Sequence, residues 1–260
     1  MYTHLVARKK GGGREWTTVG GDIGLPVKAA LFASAIVWAE LNSGLLHIFA
    51  DNEAFKDWPF FGPIAHSFQW HHKDPEHIVR QTWFDFLTAI DAGMLLLLLP
   101  AVAGRTGRRL LGLFALIATP LMYLMMATHR WTHCAPSDVP LVVRWCQDAG
   151  VFLTRKGHSI HHTDYTSNFS LLTGWGNPML NFLVKHVAHH NNMAWFWVFV
   201  AWALALPMAL LARDVADGCL GQRLRARLGR RDKVVTTVGG KGGTPTTPTM
   251  NSAVAKHHAT

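Results

Sequence analysis

Three histidines fall within five residues at His158, His161 and His162, inside the stretch RKGHSIHHTDY. Spacings of three and four residues put side chains on one face of a helix. The same spacing relates His129 to His133 in THRWTH, and His47 to Asp51 in HIFAD. His71 and His72 are adjacent, so on a helix their rings diverge by about 100° and suit two neighbouring centres. Converging imidazoles without cysteine favour a borderline metal such as iron, zinc, copper or nickel. A single zinc takes three or four ligands, and no HExxH motif is present. His47, His71, His72, His129, His133, His158, His161 and His162 are too many for one ion and suit two. Asp51, Asp74 and Asp164 lie beside these groups in sequence, where they would ligate or orient the rings.

The chain must hold such a centre in an oily background. Of its 260 residues 49% are hydrophobic and only 16% charged, low for a water-soluble domain. Cys134, Cys146 and Cys219 form no CxxC pair and no disulfide framework. The formal charge of +9 is dispersed and lacks any zinc-finger or RNA-binding signature. Nucleic acid is therefore excluded as a partner, and an anionic membrane surface fits better.

Four apolar stretches read as membrane spans, since about 20 helical residues cover a hydrocarbon core. They run over 26–50, 84–103, 110–129 and 193–212, the last without a charged residue. Trp195 and Trp197 are placed as an interfacial belt would be. The expected architecture is an all-α integral membrane protein of about four transmembrane helices. Residues 1–24 are basic and Gly-rich and are expected to lack structure. Residues 25–213 form the membrane domain, and 214–260 form a basic, then low-complexity tail.

The spans, threaded back and forth with a turn at GRTGRR, bring all eight histidines to one membrane face. KHVAHH repeats the HxxHH spacing just before the last span, so pattern alone does not separate His186, His189 and His190 from the ligands. His66 reads as an interfacial polar residue. A membrane haem protein with axial histidines remains an alternative. A metal transporter should carry ionisable residues inside its spans, and only Glu40 and Asp91 are so placed.

HIFADN, HHKDP followed by Arg80, THRWTH, QDAGVFLTRKGHSIHH and TGWGN together resemble the lipid desaturase family over roughly residues 41–181. That family includes plasmanylethanolamine desaturase and chloroplast enzymes that place a trans double bond in phosphatidylglycerol acyl chains. The resemblance implies a histidine-ligated di-iron centre that uses O2 and electrons from cytochrome b5. The eight histidines match the family's positions, whereas His186, His189 and His190 lie beyond the matched region. Gln81 stands where the ether-lipid enzymes usually have histidine, and Phe169-Ser170 replaces a Tyr-Cys pair. HRWTH, HHKDP and TGWGN look closer to the ether-lipid branch, and ADN and QDAG to the plastid one. The expected substrate is an ether lipid, with a phospholipid acyl chain as the alternative.

Basic residues are more numerous on the face opposite the histidines, which the positive-inside rule reads as cytosolic. The resemblance implies metals facing the cytosol of the endoplasmic reticulum, and the expectation follows it.

Overall fold

The computed structural model describes residues 5–10, 13–18, 23–59, 61–103 and 109–238. Pro26 sits in the first turn of α1 (Leu25–Ala50), where a missing N–H costs nothing. At the other end the Asp51 N–H donates to the His47 carbonyl, and Asn52 then caps a short 3-10 turn over Glu53–Phe55. Gly62 opens α2 (Gly62–Lys73) because a Cβ there would meet the Lys56 carbonyl at 2.3 Å. Two short helices follow, α3 (His77–Arg80) and α4 (Trp83–Thr88), the latter capped by Thr82. Then come α5 (Asp91–Ala103) and α6 (Arg109–His133). Three short helices follow: α7 (Leu141–Asp148), α8 (Arg155–Thr163) and α9 (Asn177–His186). The long α10 (Ala194–Val238) ends the described chain.

Apart from a short N-terminal hairpin the described fold is helical, as expected of an integral membrane protein of about four spans. Three helices have membrane-crossing length among the described residues: Leu25–Ala50, Arg109–His133 and Ala194–Arg223. The expected second span is divided by the Thr88–Asp91 turn, where Asp91 accepts a hydrogen bond from the Tyr123 hydroxyl on α6. The described part of α5, 13 residues long, rises ~20 Å. The GRTGRR turn lies, but for Arg109, outside the described residues. α1 and α6 pack through Ala35, Trp38, Phe114, Ala118, Met122 and Met125. α10 joins α1 through paired indoles: Trp38 Nε1 donates to the Ala203 carbonyl, and Trp202 Nε1 to that of Trp38. Of the expected interfacial tryptophans Trp197 is exposed, while Trp195 is buried and donates to the Ala188 and His189 carbonyls.

The terminal segments differ from expectation as well. Residues 1–24 carry an antiparallel hairpin, β1 (Leu5–Lys10) against β2 (Gly13–Thr18), with Leu5 opposite Thr18. Val6, Trp16, Thr17 and Thr18 favour strand, and this outweighs the glycine content. The tail expected from residue 214 stays helical to Val238. Its Ala, Leu and Arg residues are strong helix formers. From Ala216 the chain forms a compact unit of its own, and residues 239–260 lie outside the described part.

Asp214 is the sharpest polar contact away from the histidines. It is buried, and its two carboxylate oxygens accept from the Leu110 and Leu111 N–H groups at 3.1 and 3.0 Å. It caps the N-terminus of α6, where free N–H groups and the helix dipole favour an anion. Asp214→Ala leaves both donors unpaired in an apolar setting, at about 1–3 kcal/mol for such a group. The expected result is a lower thermal midpoint in detergent, with Asp214→Asn intermediate.

Candidate metal centre

His47 ends α1, while His129 and His133 end α6. α2 ends on His71 and His72, and α8 carries His158, His161 and His162. The four helices bring all eight rings together, and they separate into two adjoining groups.

In the first group the Nε2 atom of His129 lies 3.1 Å from that of His71 and 3.1 Å from that of His158. The Nε2 of His162 lies 3.1 Å from the same two nitrogens, which closes a four-membered ring. A point equidistant from four such nitrogens lies about 2 Å from each, the length of a bond between imidazole and a first-row metal. His133 joins them, its ring 4.5 Å from that of His71 and its buried Nε2 without a partner. His71, His129, His133 and His158 bring their ligand atoms within 4.8 Å of one another.

The second group is His47, His72, His161 and Asp51. The Nε2 atoms of His72 and His161 are 3.0 Å apart. Asp51 reaches both at 3.4 Å and His47 at 3.7 Å. His47 and His161 each turn the other ring nitrogen to a carbonyl, Nδ1 to Phe169 O at 2.9 Å and Nδ1 to Ser167 O at 2.7 Å. A protonated Nδ1 leaves the Nε2 lone pair facing the centre. His71 thus joins one group and its neighbour His72 the other, as adjacent positions on α2 allow. The groups are close, with the His47 ring 6.2 Å from that of His129 and 6.3 Å from that of His158.

Electrostatics fit a cation. Burial lowers His71 and His158 well below the ordinary imidazole value, and brings His72, His161 and His162 to about 4. These rings are neutral at physiological pH and offer lone pairs. Burial pushes Asp51 up to about 7, opposed by His72, and neither of its oxygens has a hydrogen-bond donor. A buried carboxylate without a donor is costly unless a positive charge faces it. The donor set fits a metal ion at each group.

The other expected residues fall elsewhere. Asp51 is among the donors and not merely beside them. Asp74 pairs instead with Arg80, and Asp164 accepts from Thr166 while its charge reaches His161. Both lie on the exposed turns that end α2 and α8. His66, His186 and His189 are exposed. His190 is buried with its ring 6.4 Å from Phe169, outside both groups of ligand atoms.

A set of positioning residues went unassigned in the sequence. The Oε2 and Oε1 atoms of Glu40 accept from the Thr173 and Gly176 N–H groups at 2.8 and 2.9 Å. Ser43 Oγ accepts from Leu171 N, and Thr128 Oγ1 donates to Leu171 O. Asn177 Oδ1 accepts from Ser170 N. Asn168 adopts a φ of 58°, with Asn181 holding its N–H and its own amide donating to Gly157 O. Together they fix the irregular run whose Phe169 and Ser167 carbonyls orient His47 and His161. The signal for Glu40 was visible as a charge inside an apolar run.

Helices of membrane-crossing length, two of which end in adjoining groups of histidines able to hold metal ions, define an integral membrane protein with a candidate metal centre. The chain belongs to the lipid desaturase family: the model of the lipid desaturase domain matches residues 36–200. It is 29% identical over 167 residues to the chloroplastic fatty acid desaturase 4 of Arabidopsis thaliana, covering 63% of this chain and 51% of that one. A second Arabidopsis protein, the chloroplastic fatty acid desaturase 4-like 2, is 28% identical over 163 residues, or 62% and 58% of the two chains. Plasmanylethanolamine desaturase 1 of Mus musculus is 32% identical over 158 residues, 56% of each chain. The chain thus spans about half the length of the plastid protein named first. No solved structure gives a significant match.

Four outcomes follow from this geometry. Metal analysis of the purified protein should find about two ions per chain, as two groups of three or more donors require. His129→Ala and His161→Ala should each lose metal, while a His189→Ala, His190→Ala double variant keeps it. Glu40→Ala frees two N–H groups, lowering both metal retention and the thermal midpoint. On acidification the histidines and Asp51 act in opposite directions. His72, His161 and His162 fall from 6.5 to about 4 in the fold, so the unfolded chain binds more protons between those values. Their contribution is present above pH 6.5 and is lost as pH falls toward 4. Asp51, raised from 3.8 to about 7, runs the other way but is one group against several. Chelator-treated protein should therefore melt at progressively lower temperature from pH 6.5 to pH 4.

Proposed function

We propose that this protein is a di-iron lipid desaturase that introduces a double bond close to the glycerol end of a phospholipid chain. The observation that carries the reading is the pair of adjoining donor groups at the ends of α1, α2, α6 and α8. His71, His129, His133, His158 and His162 would hold one iron, and His47, His72, His161 and Asp51 the other. When bound, iron supplies with O2 the oxidising power to remove hydrogen from unactivated carbons, which no side chain has. Electrons would come from a cytochrome b5-type donor, at the membrane of the endoplasmic reticulum.

The chain's own residues bind, orient and enclose. The Phe169 and Ser167 carbonyls hold the His47 and His161 rings in one tautomer. Tyr165 stacks on His72, with centroids 4.6 Å apart and planes inclined by 7°, and covers that ring on its open side. Phe68 and Phe169 stand edge-on to His47 and exclude water from it. A haem reading fits less well. Facing Nε2 atoms only 3.0–3.1 Å apart leave no gap for a porphyrin plane between the rings.

Donors at span ends favour bonds near the glycerol over bonds in mid-chain, because the hydrocarbon core extends away from them. We assign an alkyl-ether phospholipid as substrate, with the C1–C2 bond of the alkyl chain becoming a vinyl ether. The relative named plasmanylethanolamine desaturase and the HRWTH, HHKDP and TGWGN motifs support that choice. The plastid relatives support a second reading, desaturation near the carboxyl end of an acyl chain.

The test is expression in ether-lipid-competent cells that lack their own plasmanylethanolamine desaturase. Acid hydrolysis of their lipids should release fatty aldehydes, and His161→Ala should abolish them. A new acyl double bond near the carboxyl group, without aldehydes, would move the protein to the second reading. Neither product from a metal-loaded protein would overturn both.

A further inference from the structure

The segment from Thr173 to His186 reaches the described core from one side only. Leu180 and Val184 of α9 face inward, against Leu45, Ile48 and Phe49 of α1. The opposite face is also apolar and is uncovered, with Trp175 70%, Met179 47% and Phe182 59% exposed. A helix that is apolar on both sides, with only one side packed, calls for an apolar neighbour on the other.

Its level along α1 says what that neighbour is. A stretch of ~20 residues covers the hydrocarbon core, and any such stretch placed within Leu25–Ala50 includes residues 31–44. The segment touches α1 inside that range. Glu40 binds the Thr173 and Gly176 N–H groups, and Gly44 lies so close to Leu180 that a Cβ there would meet its Cδ1 at 2.3 Å. α6 gives the same depth independently. Any ~20-residue stretch within Arg109–His133 includes Thr128, which donates to the Leu171 carbonyl at 2.6 Å.

Irregular backbone at membrane depth must have its polar groups satisfied by protein, because lipid offers no partner. Here they are satisfied. Glu40, Ser43, Thr128 and Asn177 together answer the backbone groups of Ser170, Leu171, Thr173 and Gly176.

We infer that Thr173–His186 is a re-entrant element sunk into the leaflet, its Trp175, Met179 and Phe182 face lying against phospholipid chains beside the metal centre. Lys185 and His186, both exposed at its end, suit the headgroup region. α10 begins eight residues after α9 and continues the same lipid boundary. The inference deepens the lipid reading without resting on desaturase chemistry, since its test reads position and not turnover.

Single cysteines are placed by Met179→Cys and Phe182→Cys in a chain whose Cys134, Cys146 and Cys219 are changed to Ala. Each is spin-labelled and reconstituted into phosphatidylcholine–phosphatidylethanolamine vesicles. Both labels should collide with O2 several-fold more readily than with a water-soluble nickel chelate. Leu204→Cys on α10 should behave likewise, whereas Ser137→Cys on the exposed 136–138 turn should favour nickel. Nickel access like that of Ser137→Cys would overturn the inference. So would shielding from both reagents, which would mean that another protein surface or a second copy covers the face. Hydroxyl-radical footprinting of the unaltered chain in the same vesicles answers any failure of the cysteine-free background to fold. Trp175 and Met179 should oxidise as slowly as Met208 on α10, and a several-fold faster rate would overturn the inference.

Discussion

Eight imidazoles and one carboxylate turned inward on a dry space would be an unstable arrangement by themselves. Neutral rings whose Nε2 atoms stand 3.0–3.1 Å apart can hydrogen-bond only if half of them change tautomer. Two rings do not have that freedom, because Phe169 and Ser167 already take the Nδ1 proton. Asp51 adds a buried charge with no donor. A cation bound among the donors would meet the cost of this convergence, and the surrounding fold keeps the donors from relaxing apart.

That restraint comes from helix ends. Each donor-bearing helix stops within a turn or so of its ligands, so its rings are carried on rigid backbone while the chain turns away. α1 and α6 supply the long axes and α2 and α8 the short ones. The irregular run 167–177 threads between them and is held by polar side chains from both long helices. At membrane depth such a run can find partners for its polar groups only within the protein.

Much of the site was legible because histidine spacing on helices is a local property. The i,i+3 and i,i+4 pairs required only that the stretches be helical, and the gathering on one face followed from threading the spans. The division of donors between two groups was not legible. It depends on how α2 and α8 are rotated against α6, which is a matter of tertiary packing and not of local spacing. Asp51 stayed open between ligand and orienting residue because a carboxylate four residues from a histidine can point at it or past it. The turn inside the second apolar run was not legible because composition does not register it. Thr82, Thr88 and Asp91 break an apolar run whose hydropathy alone would carry it across a bilayer. The hairpin over residues 5–18 was missed for the opposite reason, since glycines and charges masked short strand-forming runs.

THRWTH shows why one motif can be so tightly constrained. Successive residues on the last turns of α6 point about 100° apart, so each meets a different neighbour. Thr128 holds the Leu171 carbonyl. His129 and His133 reach the first donor group. Arg130, between them, donates to the Val79 and Gln81 carbonyls at 2.9 and 2.8 Å and lies over the Trp83 ring at 4.4 Å. It thereby clamps the segment that follows α2, which carries His71 and His72. Trp131 packs against Trp83 and Phe152, beyond which the chain leads into α8. One helix end thus contributes two donors and fixes the helices that contribute five more. A lysine at Arg130 would keep the charge but lose the planar fork that spans two carbonyls while stacking on an indole. The geometry of the centre therefore rests on a residue that touches no donor atom in it.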